Sequence, residues 1–233
     1  MISANGREMV STIAARQMDG EKPKKDRNYG RHLQWASNDI AVVSFSGPMV
    51  LKADWIDKLF GCVCHHDIGA SLDKAAESAK AIVIDADSPG GTATGSGELA
   101  AKVQSIARRV PVIGFTDSQA CSAAYYAIAG ASQIVATPSA IVGSIGTIYE
   151  RLDLSEMFEK AGAKFEQFTT GPLKGATSPT QPMTDEQRES IQAFVDESGR
   201  QFKSFVSRAR GVADQDMQGQ FFHASTGAKK GFV

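Results

Sequence analysis

The sequence predicts an α/β domain with a mostly parallel sheet covered by helices. Three observations carry this. From residue 39 onward, short apolar β-branched runs alternate with segments of helical spacing. The strand runs are apolar throughout, as strands buried on both faces are. With 233 residues and 42% hydrophobic content, the chain can bury one substantial core, or at most two small ones.

The elements follow in order. Residues 1–38 are polar and charged, and "DGEKPKKDRNYGR" reads as a linker or mobile arm; its pattern allows a short helix over residues 5–17. The domain is expected over residues 39–233. "DIAVVSFSG" ends on glycine and reads as a buried strand, and "DIGASLDKAAESA" has helical spacing through Ile68, Leu72 and Ala75. "KAIVIDADSPGG" is a second strand running into a glycine turn. It is followed by the helix "SGELAAKVQSIAR", the strand "VPVIGFTD", the helix "SAAYYAIAGAS" and the strand "QIVATP". "LSEMFEKAGA" reads as a helix and "KFEQFTTG" as a fifth strand. The last long helix spans "TDEQRESIQAFVDESGRQFKSFVSRARG". Thr184 and Gln187 form a capping-box pattern at its start, and Ile191, Phe194, Val195, Phe202, Phe205 and Val206 form one apolar stripe.

Composition excludes some functions. The 25 basic and 26 acidic residues nearly balance and no basic stripe occurs, so no nucleic-acid partner is expected. No run of about 18 apolar residues exists, and the N-terminus lacks an apolar core of signal-peptide length. The expectation is a soluble protein with neither signal peptide nor membrane span. Three cysteines, two of them as close as Cys62 and Cys64, fit a reducing compartment.

Several segments could carry chemistry. In "DSPGG" the glycines end a strand, so their backbone N–H groups could hold an anion or oxyanion, although on the glycines alone a plain tight turn fits better. In "QACSAAYYAIAGA", Ser122 stands where a helix opens, as a nucleophile or as an ordinary N-cap. Cys121 beside it would need a base. No histidine (His32, His65, His66, His223) lies within fifty residues, so a packing role suits it better. "GCVCHHD" groups Cys62, Cys64, His65 and His66 without the second ligand pair of a structural zinc site, and no metal is expected. Lys174 sits in a loop of glycine and proline, as a solvated charge or, if desolvated, a general base. Ser144 in "SAIVGSIGTI" is a buried hydroxyl needing a partner or a turn serine bonded to its own backbone.

Together, "DSPGG", "CSAAYY" followed by "GSIG", "GPLKGA" with "PMTDEQR", and the closing "ASTGAKKGFV" resemble the signal peptide peptidase A family of Ser–Lys serine peptidases, over most of residues 39–233. The resemblance implies a Clp protease/crotonase-like fold, a superhelical stack of βαβ units. It also implies Ser122 as nucleophile, Lys174 (52 residues later) as general base, and Ser144 as the residue that orients the lysine. The oxyanion hole would use backbone N–H groups of Gly91, or second Gly90, and of Ala123. The family usually has Gly-Gly or Ala-Gly after the nucleophile, where this chain has Ala123-Ala124. Without an anchoring helix, the chain is most similar to the soluble phage head or capsid maturation proteases. That implies action in the host cytoplasm or procapsid interior on scaffold, itself, and portal or capsid proteins. It also implies a homo-oligomeric ring, with no cofactor, nucleic acid or membrane as partner. A cytoplasmic bacterial peptidase of the same family, a crotonase-type acyl-CoA enzyme and a non-catalytic assembly component are the alternatives.

Overall fold

The computed structural model describes residues 32–233, so the expected helix over residues 5–17 lies outside the described residues. In the main sheet β1 (Leu33–Trp35) runs antiparallel to β2 (Ile40–Ser46). β5 (Ala81–Asp87), β6 (Val112–Thr116) and β8 (Gln133–Ala136) then follow side by side, each parallel to the strand before it. These four parallel strands are the first four that the sequence predicts. β5 shows why they read as unbroken apolar runs: Ala81, Ile82, Val83, Ile84 and Ala86 are all buried, on both faces of the sheet.

The helices α2 (His65–Ala76), α3 (Ser96–Ala107) and α4 (Ala123–Ala129) lie in the crossovers between the parallel strands. They follow the predicted segments, with α2 starting two residues before the expected "DIGASL", and α5 (Ser155–Lys160) forms within the predicted "LSEMFEKAGA". Two small sheets flank the main one. β3 (Met49–Val50) pairs in parallel with β4 (Val63–Cys64) around α1 (Trp55–Leu59). β7 (Gln119–Cys121), β9 (Ile141–Gly143) and β10 (Phe221–His223) form the other, with β9 in the centre. Strands of two or three residues are too short to show a period, so the sequence did not announce them.

Three expectations need correction. The sheet begins inside the stretch read as a charged arm: Leu33, Gln34 and Trp35 pair with Val43, Val42 and Ala41, and Leu33 is buried. The segment "KFEQFTTG" is not a strand. No strand among the described residues lies beside it to complete a ladder, and Phe168 is 91% exposed. The apolar stripe of α6 (Asp185–Arg210) is covered only in its second half. Phe202 and Val206 are buried, with Phe202 stacked on Tyr126 at a ring separation of 4.2 Å, whereas Phe194 is 64% exposed. The start of α6 is as predicted: Gln187 N–H donates to Thr184 Oγ1 at 3.2 Å, and Thr184 N–H to Gln187 Oε1 at 3.1 Å.

The end of the chain returns to the core. Tyr125 of α4 and Phe232 are fully buried, and the tyrosine hydroxyl donates to the Phe232 carbonyl at 3.0 Å. No helix among the described residues is long and apolar enough to cross a membrane.

Candidate active site

β7 and β9 set the site. They are parallel and in register, with Cys121 opposite Gly143, so Ser122 and Ser144 leave neighbouring strand ends together. Ser122 N–H donates to the Gly143 carbonyl at 2.9 Å, and Ser144 N–H to the Gln220 carbonyl at 2.8 Å. Both serines have positive φ, 51° and 55°, and they are the only non-glycine residues that do so among the described residues. Each such conformation costs on the order of 1–3 kcal/mol and persists only where its surroundings hold it.

Ser122 occupies the N-cap position of α4 (φ 51°, ψ −123°), but its Oγ caps no backbone N–H. The ordinary capping reading therefore fails, and the half-buried hydroxyl is left without a hydrogen-bond partner among the described residues. Ser144 likewise makes no bond to its own backbone, which removes the turn-serine reading.

The turn after β5 lies against this corner. Gly90 has φ 104°, and a Cβ on it would fall 2.6 Å from Ser122 Cβ and 3.0 Å from the Ala123 nitrogen, so only glycine allows the approach. The Gly90 N–H donates to Ser88 Oγ at 3.1 Å. Met49 N–H donates to the Gly90 carbonyl and Thr92 N–H to the Met49 carbonyl, each at 2.8 Å. Gly91 N–H and Ala123 N–H are left without partners among the described residues. The two glycine candidates are thus separated: Gly91 offers a free donor, while Gly90 offers close approach. The sequence reading missed Ser88, whose only signal was its place at the start of "SPGG".

Lys174 makes no hydrogen bond to this corner. It lies exposed on the loop after Gly171, its N–H donating to the Gly171 carbonyl at 3.0 Å, and its ammonium makes no hydrogen bond or ion pair among the described residues. The surrounding stretch is tied mainly to itself. The part-buried Arg151 guanidinium donates to the carbonyls of Ser178 and Gln181 and pairs with Asp153, and Gln187 Nε2 holds the Pro172 carbonyl at 2.8 Å.

Cys121 is buried, and burial pushes its thiol up to about 11, which removes it as a thiolate nucleophile. His32 bonds the Ser44 carbonyl and His223 the Ser139 carbonyl, so neither serves Ser122. In "GCVCHHD", Cys64 Sγ lies 3.2 Å from the Leu51 carbonyl, His65 is buried and His66 is exposed; the described residues contain no group of ligands suited to a metal ion. A separate cavity of about 540 Å³ at the ends of β2, β5 and β6 is lined by Ser44, Ser46, Asp85, Asp87 and Asp117, and neither Ser122 nor Gly91 reaches it. Desolvation raises the Asp85 carboxyl, a Ser44 hydrogen bond opposes this, and Asp117 and Asp87 add to the rise.

His65 gives a test of the packing below the turn. Both ring nitrogens are buried without a hydrogen bond among the described residues. Desolvation lowers its pKa from the ordinary 6.5; His66 adds to this, while the nearby Thr94 backbone and Glu98 oppose it. The unfolded chain then takes up a proton near pH 6.5 that the folded chain refuses. Stability is therefore full above that pH and is lost as pH falls below it. Thermal unfolding between pH 8 and pH 5 is expected to show a falling Tm below about 6.5, with a shallower fall in His65→Leu. Equal slopes would contradict this account of His65.

Comparisons with known proteins show the family. The family model described as Peptidase family S49 matches residues 104–233, a stretch that holds Ser122, Ser144 and Lys174. Capsid assembly protease C of Escherichia phage lambda is 27% identical over 215 residues, covering 91% of this chain and 48% of that protein. Putative protease MJ0651 of Methanocaldococcus jannaschii is 33% identical over 134 residues, covering 58% of this chain and 43% of that protein. The putative signal peptide peptidase SppA of Enterococcus faecium is 30% identical over 151 residues, covering 64% and 44%. This chain spans about half the length of these curated relatives. The family match covers more than half of the sequence, and on that ground the chain belongs to peptidase family S49.

Proposed function

We propose that this chain carries the catalytic unit of a serine endopeptidase working through a Ser122–Lys174 dyad. Its task on this reading is the maturation of phage heads, by cutting scaffold, itself, and portal or capsid proteins. The observation that carries the chemistry is the corner at Ser122. A strained serine with an unpartnered hydroxyl stands beside two unpartnered N–H donors, Gly91 and Ala123. The likeness of 91% of the chain to a phage capsid assembly protease supports the biological role.

The reaction follows from these groups. Ser122 Oγ attacks the scissile carbonyl. The oxyanion that forms is held by Gly91 and Ala123 N–H. Lys174, as a free amine oriented by Ser144, takes the serine proton and passes it to the leaving amine, and water then releases the acyl group by the same route. Family membership and the mostly parallel sheet support a Clp protease/crotonase-like fold, with the peptidase unit beginning at β1 and the more N-terminal residues as an arm.

Lys174 reaches Ser122 in this scheme only when its loop is covered and dried. The uncovered apolar side chains of the same region (Ile148, Leu152, Phe168 and Phe194) are what a neighbouring copy in a ring would bury. The site of action would be the procapsid interior.

The test is hydrolysis of a peptide library by wild type and Lys174→Ala. Activity in the wild type should ignore chelators. Lys174→Ala should lose about 10³-fold in kcat with Tm unchanged. Full activity in that variant overturns the dyad.

A further inference from the structure

We infer that Ser88 is a positioning residue of the oxyanion hole: its buried hydroxyl fixes the turn so that Gly91 N–H, and not Gly90 N–H, is the donor set beside Ala123 N–H. The inference rests on the proposed Ser122 chemistry and deepens it.

The argument runs through the two peptide planes on either side of Gly90. Gly90 has no Cβ and a φ of 104°, so by itself it is the softest link in the turn. The plane before it, between Pro89 and Gly90, is held by Gly90 N–H donating to Ser88 Oγ at 3.1 Å. The plane after it, between Gly90 and Gly91, is held by Met49 N–H donating to the Gly90 carbonyl at 2.8 Å. The peptide bonds are trans, so the Gly91 N–H points opposite to that carbonyl, away from Met49. Clamping both planes fixes the direction of Gly91 N–H. Pro89 has no N–H that could compete for the Ser88 hydroxyl.

Ser88 also joins this turn to the nucleophile. Its N–H donates to the Gln119 carbonyl at 2.9 Å, and its carbonyl accepts from Cys121 N–H at 3.1 Å. One residue thus registers the turn against β7 immediately before Ser122. It does so from full burial, where a hydroxyl has no water to bond instead. Without that hydroxyl the Gly90 N–H is orphaned and the first plane is free to rotate. The Gly91 N–H then drifts from the position where charge develops. Ground-state binding does not use that position, so the loss falls on kcat.

The test is peptide hydrolysis by wild type, Ser88→Ala, Ser88→Thr, Ser88→Val and Ser122→Ala, with Tm recorded for each. Ser88→Ala should show kcat about 10- to 100-fold lower with KM within about twofold. Thr and Val share a shape and differ in the hydroxyl, so that pair decides even if alanine unfolds the turn: Thr should keep kcat and Val should lose it. Inhibition by a peptide aldehyde, which places an oxyanion in the hole, should weaken by the same factor as kcat. Wild-type kcat in Ser88→Ala or Ser88→Val, or no difference between Thr and Val, overturns the role of Ser88. The Ser122→Ala control separates the two failures. Activity lost there but kept in the Ser88 variants sinks this inference alone, whereas activity kept in Ser122→Ala removes the Ser122 site and this inference with it.

Discussion

Ser122→Ala is expected to lower kcat for peptide hydrolysis by about 10⁴- to 10⁶-fold, the scale on which loss of a nucleophile acts in other serine hydrolases, with Tm within a few degrees of wild type. The two halves of this expectation come from different observations. The rate falls because no other side chain can replace the hydroxyl. Cys121, the neighbouring nucleophile, is buried, with its thiol pushed up to about 11. The fold survives because alanine keeps the Cβ, so the backbone at φ 51° is no more strained than before, and because the Ser122 Oγ makes no hydrogen bond whose loss folding would feel. An N-cap serine would behave in the opposite way, with alanine costing about 1 kcal/mol of stability and no chemistry. Melting curves and progress curves on the same two proteins separate these cases.

Gly91→Ala is expected to damage both properties. A Cβ on Gly91 would be driven into the backbone of Met49, 2.6 Å from its nitrogen and closer still to its carbonyl oxygen. Backbone cannot swing aside as a flexible side chain does, so β3 must separate from the turn. The two hydrogen bonds that join them, Met49 N–H to Gly90 and Thr92 N–H to Met49, are at risk together. Overpacking of this kind costs about 1–3 kcal/mol or more, and a misplaced oxyanion donor a further factor of about 10² to 10³ in kcat. Wild-type kinetics and Tm in this variant would show that the Met49 contact does not set the turn. For comparison, alanine at Gly199, a half-buried position of α6, meets nothing within 4 Å and should leave activity alone.

Much of this was legible in the sequence, and the reasons are physical. The parallel strands announce themselves because burial on both faces leaves no room for polar residues, as in β5. The capping box of α6 is legible because Thr184 and Gln187 satisfy each other locally. The corner itself was only half legible. Ser122, Ser144 and the "SPGG" turn stand out in the sequence, yet what brings the two serines together is the register of two three-residue strands, Cys121 against Gly143, which no periodicity reveals. Ser88 was missed because an i to i+2 bond to Gly90 looks from sequence like any turn. The fifth strand failed because a strand exists only with a partner, and "KFEQFTTG" has apolar residues but no neighbour to pair with. The position of Lys174 depends on that same unpaired region, so its approach to Ser122 could be written only from the family pattern.

The central claim is that Ser122 is the nucleophile. Its most direct test is to treat the native protein with a fluorophosphonate and map the modified peptide by mass spectrometry. The account predicts one adduct, on Ser122, that is absent in Ser122→Ala and forms much more slowly in Lys174→Ala. An adduct on any other residue, or labelling that survives in Ser122→Ala, would contradict it.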